Sequence, residues 1–152
     1  MKRNWLKRKK GLSSKGKSDT ARAKDEIQKL LRALAIKNQK ECWVKLQGIT
    51  EFGECDEVQQ YDHLETRAKN ISYADPRLGV LVCKRHHFYH GSPRREQVEQ
   101  YENLVREFIG PERAKLWERV RKDTKSYPKL LWDWQKDIMF LKAELTKSGD
   151  NS

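Results

Sequence analysis

The residues able to ligate metals are concentrated in one short stretch of the chain. Every cysteine and histidine lies between residues 42 and 90, and these are Cys42, Cys55, His63, Cys83, His86, His87 and His90. Thiolate and imidazole groups are the usual ligands of zinc, and imidazole is also a common general base near neutral pH. Their concentration therefore predicts metal chemistry, and their order along the chain indicates two sites.

One set of these residues suits a structural zinc ion, which takes four Cys or His ligands in a tetrahedral array. The chain offers Cys42, Cys55, Cys83 and His86. Cys83 and His86 have the spacing of half such a site, whereas the interval between Cys42 and Cys55 is longer than usual. The alternative is that Cys42 and Cys55 are ordinary buried thiols. Three cysteines cannot form a closed disulfide set, so a reducing compartment is expected.

The other set consists of Asp62, His63, His87 and His90. Phosphodiester hydrolysis requires a group with a pKa near neutrality to deprotonate water, and a cation to neutralise charge on the departing oxygen. One carboxylate and one imidazole that leave positions open for water suit Mg²⁺ or Mn²⁺. The alternative is that Asp62 and His63 are accidental neighbours at a strand end. His90 is predicted to be a helix-surface or phosphate-contacting residue.

The order of these motifs resembles that of the HNH endonuclease superfamily. The motifs are Cys42 and Cys55, then Asp62-His63-Leu64 with Arg67, then Asp75-Pro-Arg-Leu78, then Leu81-Val-Cys83-x2-His86-His87. In that family a metal-binding ββα unit carries an Asp-His or His-His pair and a helical His, often beside a Cys-rich zinc site. The later Tyr101-Glu-Asn-Leu-Val segment and a Trp/Leu-rich terminal helix make the chain similar to phage-encoded, recombination-associated HNH proteins.

The resemblance implies a metal-dependent endonuclease that hydrolyses DNA. His63 would be the general base, and Asp62 and His87 would ligate one Mg²⁺ or Mn²⁺. Candidate phosphate contacts are Arg67, Lys84 and Arg85.

One position departs from the family pattern. Nine residues before His87, where the family has its middle Asn, this chain has Leu78, which cannot bind a cation. Asp75 or Asn70 would then supply the missing group. Asp75 is favoured as the further ligand of the catalytic cation, because it is charged and nearer to the helix.

The composition predicts a small folded domain with a basic arm. The chain has 152 residues, with 36% hydrophobic and 36% charged residues and a net charge of +11. Residues 1–18 contain eight Lys or Arg and no acid, which leaves 11 − 8 = +3 for the remainder. A flexible arm that contacts a polyanion such as DNA is expected.

No apolar run has the length of a signal peptide or membrane span, so we expect no membrane association and a location in the cytoplasm of a bacterium or phage-infected cell.

The elements that must position these residues form an α+β fold. A helix over residues 19–39 is predicted from Ile27, Leu30, Leu31 and Leu34, capped by Asp19 or Thr20. Two short antiparallel strands are expected at residues 42–46 and 58–64, then a loop over residues 66–77 with about one helical turn. A brief apolar segment, residues 79–82, leads to a helix at residues 86–90. The whole would be a ββα-metal HNH core with a structural zinc site.

Three helices are predicted after residue 92, separated by Gly110-Pro111 and by a segment before Pro128. The apolar stripe of the last helix indicates either intrachain core or a seam for a partner or a second copy. The domain division is therefore a basic arm at 1–18, a nuclease core with its leading helix at 19–92, a helical extension at 93–146 and a disordered tail at 147–152.

Two other functions compete with the nuclease. The first is a non-catalytic, zinc-stabilised module that binds nucleic acid, which the substitution by Leu78 favours and the pair Asp62-His63 disfavours. The second is a helical assembly protein that recruits a partner through its terminal helix, with the metal region serving only to hold the fold together.

Overall fold

The computed structural model describes residues 18–125 and 132–147. The predicted basic arm apart from Ser18, the predicted start of the last helix near Pro128, and the predicted tail after residue 147 lie outside the described residues.

The described residues have the α+β architecture expected from the sequence, with a small two-stranded sheet among helices. The elements in chain order are α1 Asp19–Asn38, α2 Trp43–Leu46, β1 Gln59–His63, α3 Asn70–Tyr73, a 3₁₀ turn Pro76–Leu78, β2 Gly79–Cys83, α4 Lys84–His90, α5 Arg95–Ile109, α6 Pro111–Lys122 and α7 Trp134–Thr146. None of these helices is both long and apolar enough to cross a bilayer.

The sheet pairs β1 with β2 in antiparallel register, with Gln59 opposite Cys83 and His63 opposite Gly79. The prediction of a strand at residues 42–46 was wrong, because that segment forms α2 and buries Trp43 in the core. The second strand is β2, which is buried along its whole length. Its continuous apolar run reflects packing on both faces, so it lacks the alternation that marks a half-exposed strand.

Gly79 leaves room for the Tyr61 side chain of β1 to lie over β2. A Cβ atom at this position would lie 1.8 Å from the hydroxyl oxygen of Tyr61. A side chain at position 79 would therefore displace the buried Tyr61 ring and disturb the end of β1, where Asp62 and His63 lie.

The sheet separates two apolar cores. On one side α1 packs against α7, and this core includes Tyr61 from β1. On the other side Val80 and Val82 pack with Trp43 and with residues of α5 and α6. Leu78 belongs to the second core and is 1% exposed, so the residue that departs from the HNH pattern has a packing role here.

Helix α1 has the predicted apolar face, since Ile27, Leu31 and Leu34 are buried. Its cap differs from the prediction. The Ser18 hydroxyl accepts a hydrogen bond from the Ala21 amide at 3.2 Å, and Asp19 is already inside the helix. Serine is well suited to this position, because its short side chain reaches an amide of the first turn.

In α7 the residues Trp134, Ile138 and Leu141 are buried against α1, so these members of the predicted stripe form intrachain core. Met139 lies on the opposite face and is 72% exposed. The packing of α7 on α1 thus holds the two ends of the described chain together.

This packing predicts different costs for two truncations on α7. Leu141→Ala should lower the free energy of unfolding by about 2–5 kcal/mol, because it leaves a cavity in a closed core. Met139→Ala, the control on the same helix, should change it by less than about 0.5 kcal/mol. Urea unfolding monitored by circular dichroism measures both, and equal effects would contradict the packing described for α7.

Candidate active site and metal centre

Four residues predicted as zinc ligands lie together in the structure. Cys42 precedes α2, Cys55 lies in the following loop, Cys83 ends β2, and His86 is in the first turn of α4. Their ligand atoms all lie within 4.8 Å of one another. The Nδ1 atom of His86 is 3.5, 3.7 and 3.2 Å from the sulfurs of Cys42, Cys55 and Cys83. This cluster can hold a metal ion such as zinc.

The tautomer of the His86 ring suits a metal ligand. Its Nε2 atom lies 3.0 Å from the carbonyl oxygen of Gly53, and because a carbonyl can only accept, Nε2 must carry the proton. The lone pair of Nδ1 therefore faces the three sulfurs. Such a bond to the second nitrogen is the usual way that a metal-binding histidine is held in its tautomer.

The three thiols also require a cation if they are to ionise together. Burial raises the pKa of Cys42, and burial together with repulsion from Cys42 and Cys83 raises the pKa of Cys55 to about 12. A divalent cation would remove this penalty, because its charge stabilises the thiolates that bind it.

Metal binding should therefore contribute directly to folding. Cys83→Ser should abolish stoichiometric zinc binding and lower the melting temperature, since it removes a buried ligand at the end of β2. Elemental analysis and thermal unfolding measure the two effects. A strong chelator should lower the melting temperature of the wild type and leave that of Cys83→Ser unchanged. Equal zinc content in both proteins would contradict the assignment.

A second group of residues lines an open cavity of about 320 Å³ beside the cluster. Asp62 and His63 come from the end of β1, Arg67 comes from the loop after β1, and His87 comes from α4. The structure thus brings together Asp62, His63 and His87, three of the residues that were predicted from the sequence for acid–base and cation chemistry. The antiparallel pairing of β1 with β2 and the direct continuation of β2 into α4 place them on facing surfaces.

His63 has one nitrogen committed and one available. Its Nε2 atom is 3.1 Å from the carbonyl oxygen of Tyr73, which fixes the proton on Nε2. Its Nδ1 atom is buried and has no hydrogen-bond partner among the described residues. Burial, together with the nearby Arg67, lowers the pKa of His63 to about 4, so the ring is neutral at physiological pH and is a weaker base than the near-neutral group expected from the sequence. Stacking on Tyr73, with ring centroids 4.8 Å apart, fixes its orientation.

Asp62 and His87 form the pair expected to bind a cation. The Oδ1 atom of Asp62 lies 3.3 Å from Nε2 of His87. The other nitrogen of His87, Nδ1, lies 2.7 Å from Oε1 of Gln60, to which it donates its proton. Nε2 of His87 therefore faces Asp62, where it can donate to the carboxylate when protonated or share a cation with it through its lone pair.

His90 is more involved in this site than the sequence indicated. It was predicted to be a helix-surface or phosphate-contacting residue, but its Nδ1 atom donates to both carboxylate oxygens of Asp62, at 3.0 and 2.8 Å. Its Nε2 atom lies 3.4 Å from Glu102. Burial alone would lower the pKa of His90, but the hydrogen bonds to Asp62 and Glu102 raise it to about 9. His90 is thus a cation that orients Asp62.

The same contacts keep the carboxylates ionised. Burial would raise the pKa of Asp62, but hydrogen bonds from His87 and His90 outweigh it and hold the pKa at about 2. Burial would likewise raise the pKa of Glu102, whose hydrogen bonds with His90 and Arg121 lower it to about 2. These side chains therefore form a compact network beside the cavity, in which the acidic groups of Asp62 and Glu102 alternate with the basic groups of His90 and Arg121.

Tyr101 connects this arrangement to the core. Its hydroxyl donates to Oδ2 of Asp62 at 2.8 Å and accepts from Nε1 of Trp43 at 3.0 Å. No pattern in the sequence indicated this role, because Tyr101 is spaced along its helix like the buried apolar residues Val105 and Ile109. Nor was there any signal for Glu102 or Gln60, whose partners are distant along the chain.

Three other residues that were predicted as cation ligands or phosphate contacts do not line this cavity. Asp75, the favoured further ligand, caps the 3₁₀ turn and pairs with Arg77 at 2.8 Å. It borders a different cavity, as does Asn70, and the structure does not bring Asp75 to Asp62 and His87. Lys84 and Arg85 are exposed on α4, outside the residues that line the cavity.

Comparison of the chain with protein-family models, with curated proteins and with solved structures found no match in any of the three. Function is therefore inferred from the geometry of these two groups of residues and from the motifs of the sequence.

The contact of Tyr101 with Asp62 predicts a measurable cost for removing one oxygen atom. Tyr101→Phe should lower the free energy of unfolding by about 1–3 kcal/mol, because the buried Trp43 loses its acceptor and Asp62 loses a donor. Denaturant unfolding measures the change. Tyr89→Phe is the matched control, since no hydrogen bond joins the Tyr89 hydroxyl to the described residues; an equal loss in both would contradict the role of Tyr101.

Proposed function

We propose that this protein is a metal-dependent endonuclease of the HNH type, which hydrolyses phosphodiester bonds of DNA. The observation that carries the proposal is the free Nδ1 atom of the neutral His63, in the same cavity as the Asp62 and His87 pair. A buried nitrogen without a hydrogen-bond partner destabilises the fold, and a catalytic role is one reason for a protein to retain it. His63 lines the cavity in which a cation on Asp62 and His87 would meet a phosphate.

The pair fits a catalytic cation. Mg²⁺ and Mn²⁺ prefer octahedral surroundings with bonds of about 2.1 Å, for which neighbouring ligand atoms lie about 3 Å apart. The atoms of Asp62 and His87 are 3.3 Å apart, and two protein ligands would leave positions for water and phosphate. When bound, the cation would neutralise charge that develops on the scissile phosphate and the departing 3′ oxygen.

His63 would act as the general base. Its Nδ1 atom would take a proton from the attacking water, while its Nε2–H remains bonded to the Tyr73 carbonyl, which stabilises the positive ring that results. Arg67 is exposed at the rim and has no carboxylate partner among the described residues, so it is available to hold a phosphate.

The choice of DNA as substrate is supported by charge and by motif. The net charge of +11 and the basic residues 1–18 favour a polyanion. The resemblance to phage recombination-associated HNH proteins supports DNA, and with it a role in the cytoplasm of a bacterium or an infected cell. A non-catalytic zinc module is the second candidate, and Leu78 favours it, but such a module has no need of the oriented His63.

The decisive experiment is plasmid cleavage by zinc-loaded, full-length protein with Mg²⁺ or Mn²⁺. The wild type should nick or linearise the plasmid, and His63→Ala should reduce the rate by roughly 10²-fold or more, the usual contribution of a positioned base. Zinc content and DNA affinity should be unchanged.

Two carboxylate variants provide the matched comparison. Asp62→Ala should lose activity as His63→Ala does, whereas Asp75→Ala should remain near the wild-type rate, because Asp75 lies at another cavity. The assays are run well below the melting temperature, so that the small loss of stability from removing the Asp75 cap does not affect the measured rate. A folded, zinc-loaded wild type that cuts no form of DNA would refute the nuclease, and it would leave the zinc module as the better account.

A further inference from the structure

Helix α4 exposes an aromatic ring that the sequence did not predict to be exposed. Trp43, which follows Cys42, and Tyr73, which stacks on His63, are both buried. Phe88 is instead 63% exposed. It follows His87 directly on α4, and its ring leaves the helix about 100° from the His87 side chain.

Phe88 forms one wall of a cleft of about 440 Å³. The cleft is lined by Asp56, Lys84, Arg85, Phe88, Tyr89 and Gln97. Tyr89 stacks on the buried Phe52 with ring centroids 4.5 Å apart, and Phe88 meets Tyr89 edge to face at 6.3 Å. The aromatic wall is therefore anchored in the core, which keeps the ring of Tyr89 fixed when a ligand enters.

The charges around the cleft suit a phosphate. Lys84 lies one helical turn before Phe88, on the same side of α4, and Arg85 is its neighbour. Neither pairs with a carboxylate in the part of the chain that the structure describes; the one hydrogen bond of the Arg85 side chain is to the Glu54 carbonyl, at 3.1 Å. Both cations are thus available to an anionic ligand.

The cleft also offers groups that can meet the edge of a base. The Oε1 atom of Gln97 accepts from the Ser92 hydroxyl, which leaves the amide NH₂ as a donor. Asp56 accepts from the Val58 amide through one oxygen and keeps the other as an acceptor. A flat ring, two cations and a few polar groups in this volume match a nucleotide better than they match a peptide.

We propose that this cleft binds one unpaired nucleotide of DNA, with its base stacked on Phe88 and its phosphate held by Lys84 and Arg85. In a duplex both faces of each base are covered by neighbouring bases, so only an unpaired base can offer a face to Phe88. The choice of DNA rests on the proposed nuclease function, and the proposal deepens that function. The preferred substrate is DNA with unpaired nucleotides next to the bond that is cut.

The test is binding of zinc-loaded, full-length protein to two DNA probes without added Mg²⁺ or Mn²⁺. One probe is a blunt duplex, and the other is the same duplex with a short single-stranded gap that contains 2-aminopurine. Wild type should bind the gapped probe more tightly and quench its fluorescence. Phe88→Ala should raise the Kd for the gapped probe roughly 10-fold, remove the quenching and leave the Kd for the blunt duplex unchanged.

Two variants serve as controls. Phe88→Trp keeps a stacking surface and should retain both preference and quenching. Phe140→Ala makes the same change as Phe88→Ala at a ring that is 51% exposed on α7, and should behave as wild type. The proposal is overturned if wild type has no preference for the gap, or if Phe88→Ala binds both probes as wild type does or weakens both equally.

These outcomes are separate from those of the cleavage assay, because binding is measured without the catalytic cation. A protein that prefers the gap through Phe88 but cuts no DNA would refute only the nuclease. A protein that cuts DNA but shows no dependence on Phe88 would refute only the nucleotide cleft.

Discussion

The arrangement of the whole site depends on the attachment of helix α4 to the end of the sheet. Successive residues of a helix point about 100° apart, so the adjacent His86 and His87 must face different sites. His86 faces the three sulfurs, and His87 faces Asp62. A metal in the sulfur cluster would therefore fix the rotation of α4, and with it the direction of His87.

The buried charge of Asp62 places a second requirement on the fold. An isolated carboxylate at this depth would be strongly unfavourable, and it is compensated by His87, His90 and the Tyr101 hydroxyl. Tyr101 and Glu102 belong to α5, so the first helix of the extension is part of the site and not an appendage. Arg121 of α6 pairs with Glu102 at 3.0 Å and continues the network. The two helices thus stabilise the charges on which cation binding would depend.

The sequence allowed prediction of the parts that follow local rules. The rarity of Cys and His revealed the cluster at His86, and apolar periodicity revealed α1, α5 and α6. The sequence did not reveal the strand Gly79–Cys83, because a strand that is buried on both faces has no alternation of apolar and polar residues. Trp43 lies in a β-favouring run, yet its burial beside Tyr101 holds that segment as a helical turn.

Long-range partners were beyond the reach of the sequence. In the sequence His90 and Glu102 look like ordinary residues of charged helices, because their contact forms only when α4 packs against α5. Asp75 looks like a plausible ligand in the sequence, but in the structure it pairs with Arg77. The exposure of Phe88 could not be predicted either, because a single aromatic residue on a short helix does not indicate which face of the helix is buried.

In the proposed site Asp62 and His87 would hold one cation, while His63 would stay free as a base and His90 would stay an orienting cation. Pulsed electron paramagnetic resonance of Mn²⁺ added to the zinc-loaded protein tests this directly, because it detects imidazole nitrogens bound to the ion. The account predicts one bound Mn²⁺ per chain with hyperfine coupling to a single imidazole nitrogen. Coupling to two imidazoles, or no bound Mn²⁺ at all, would contradict it.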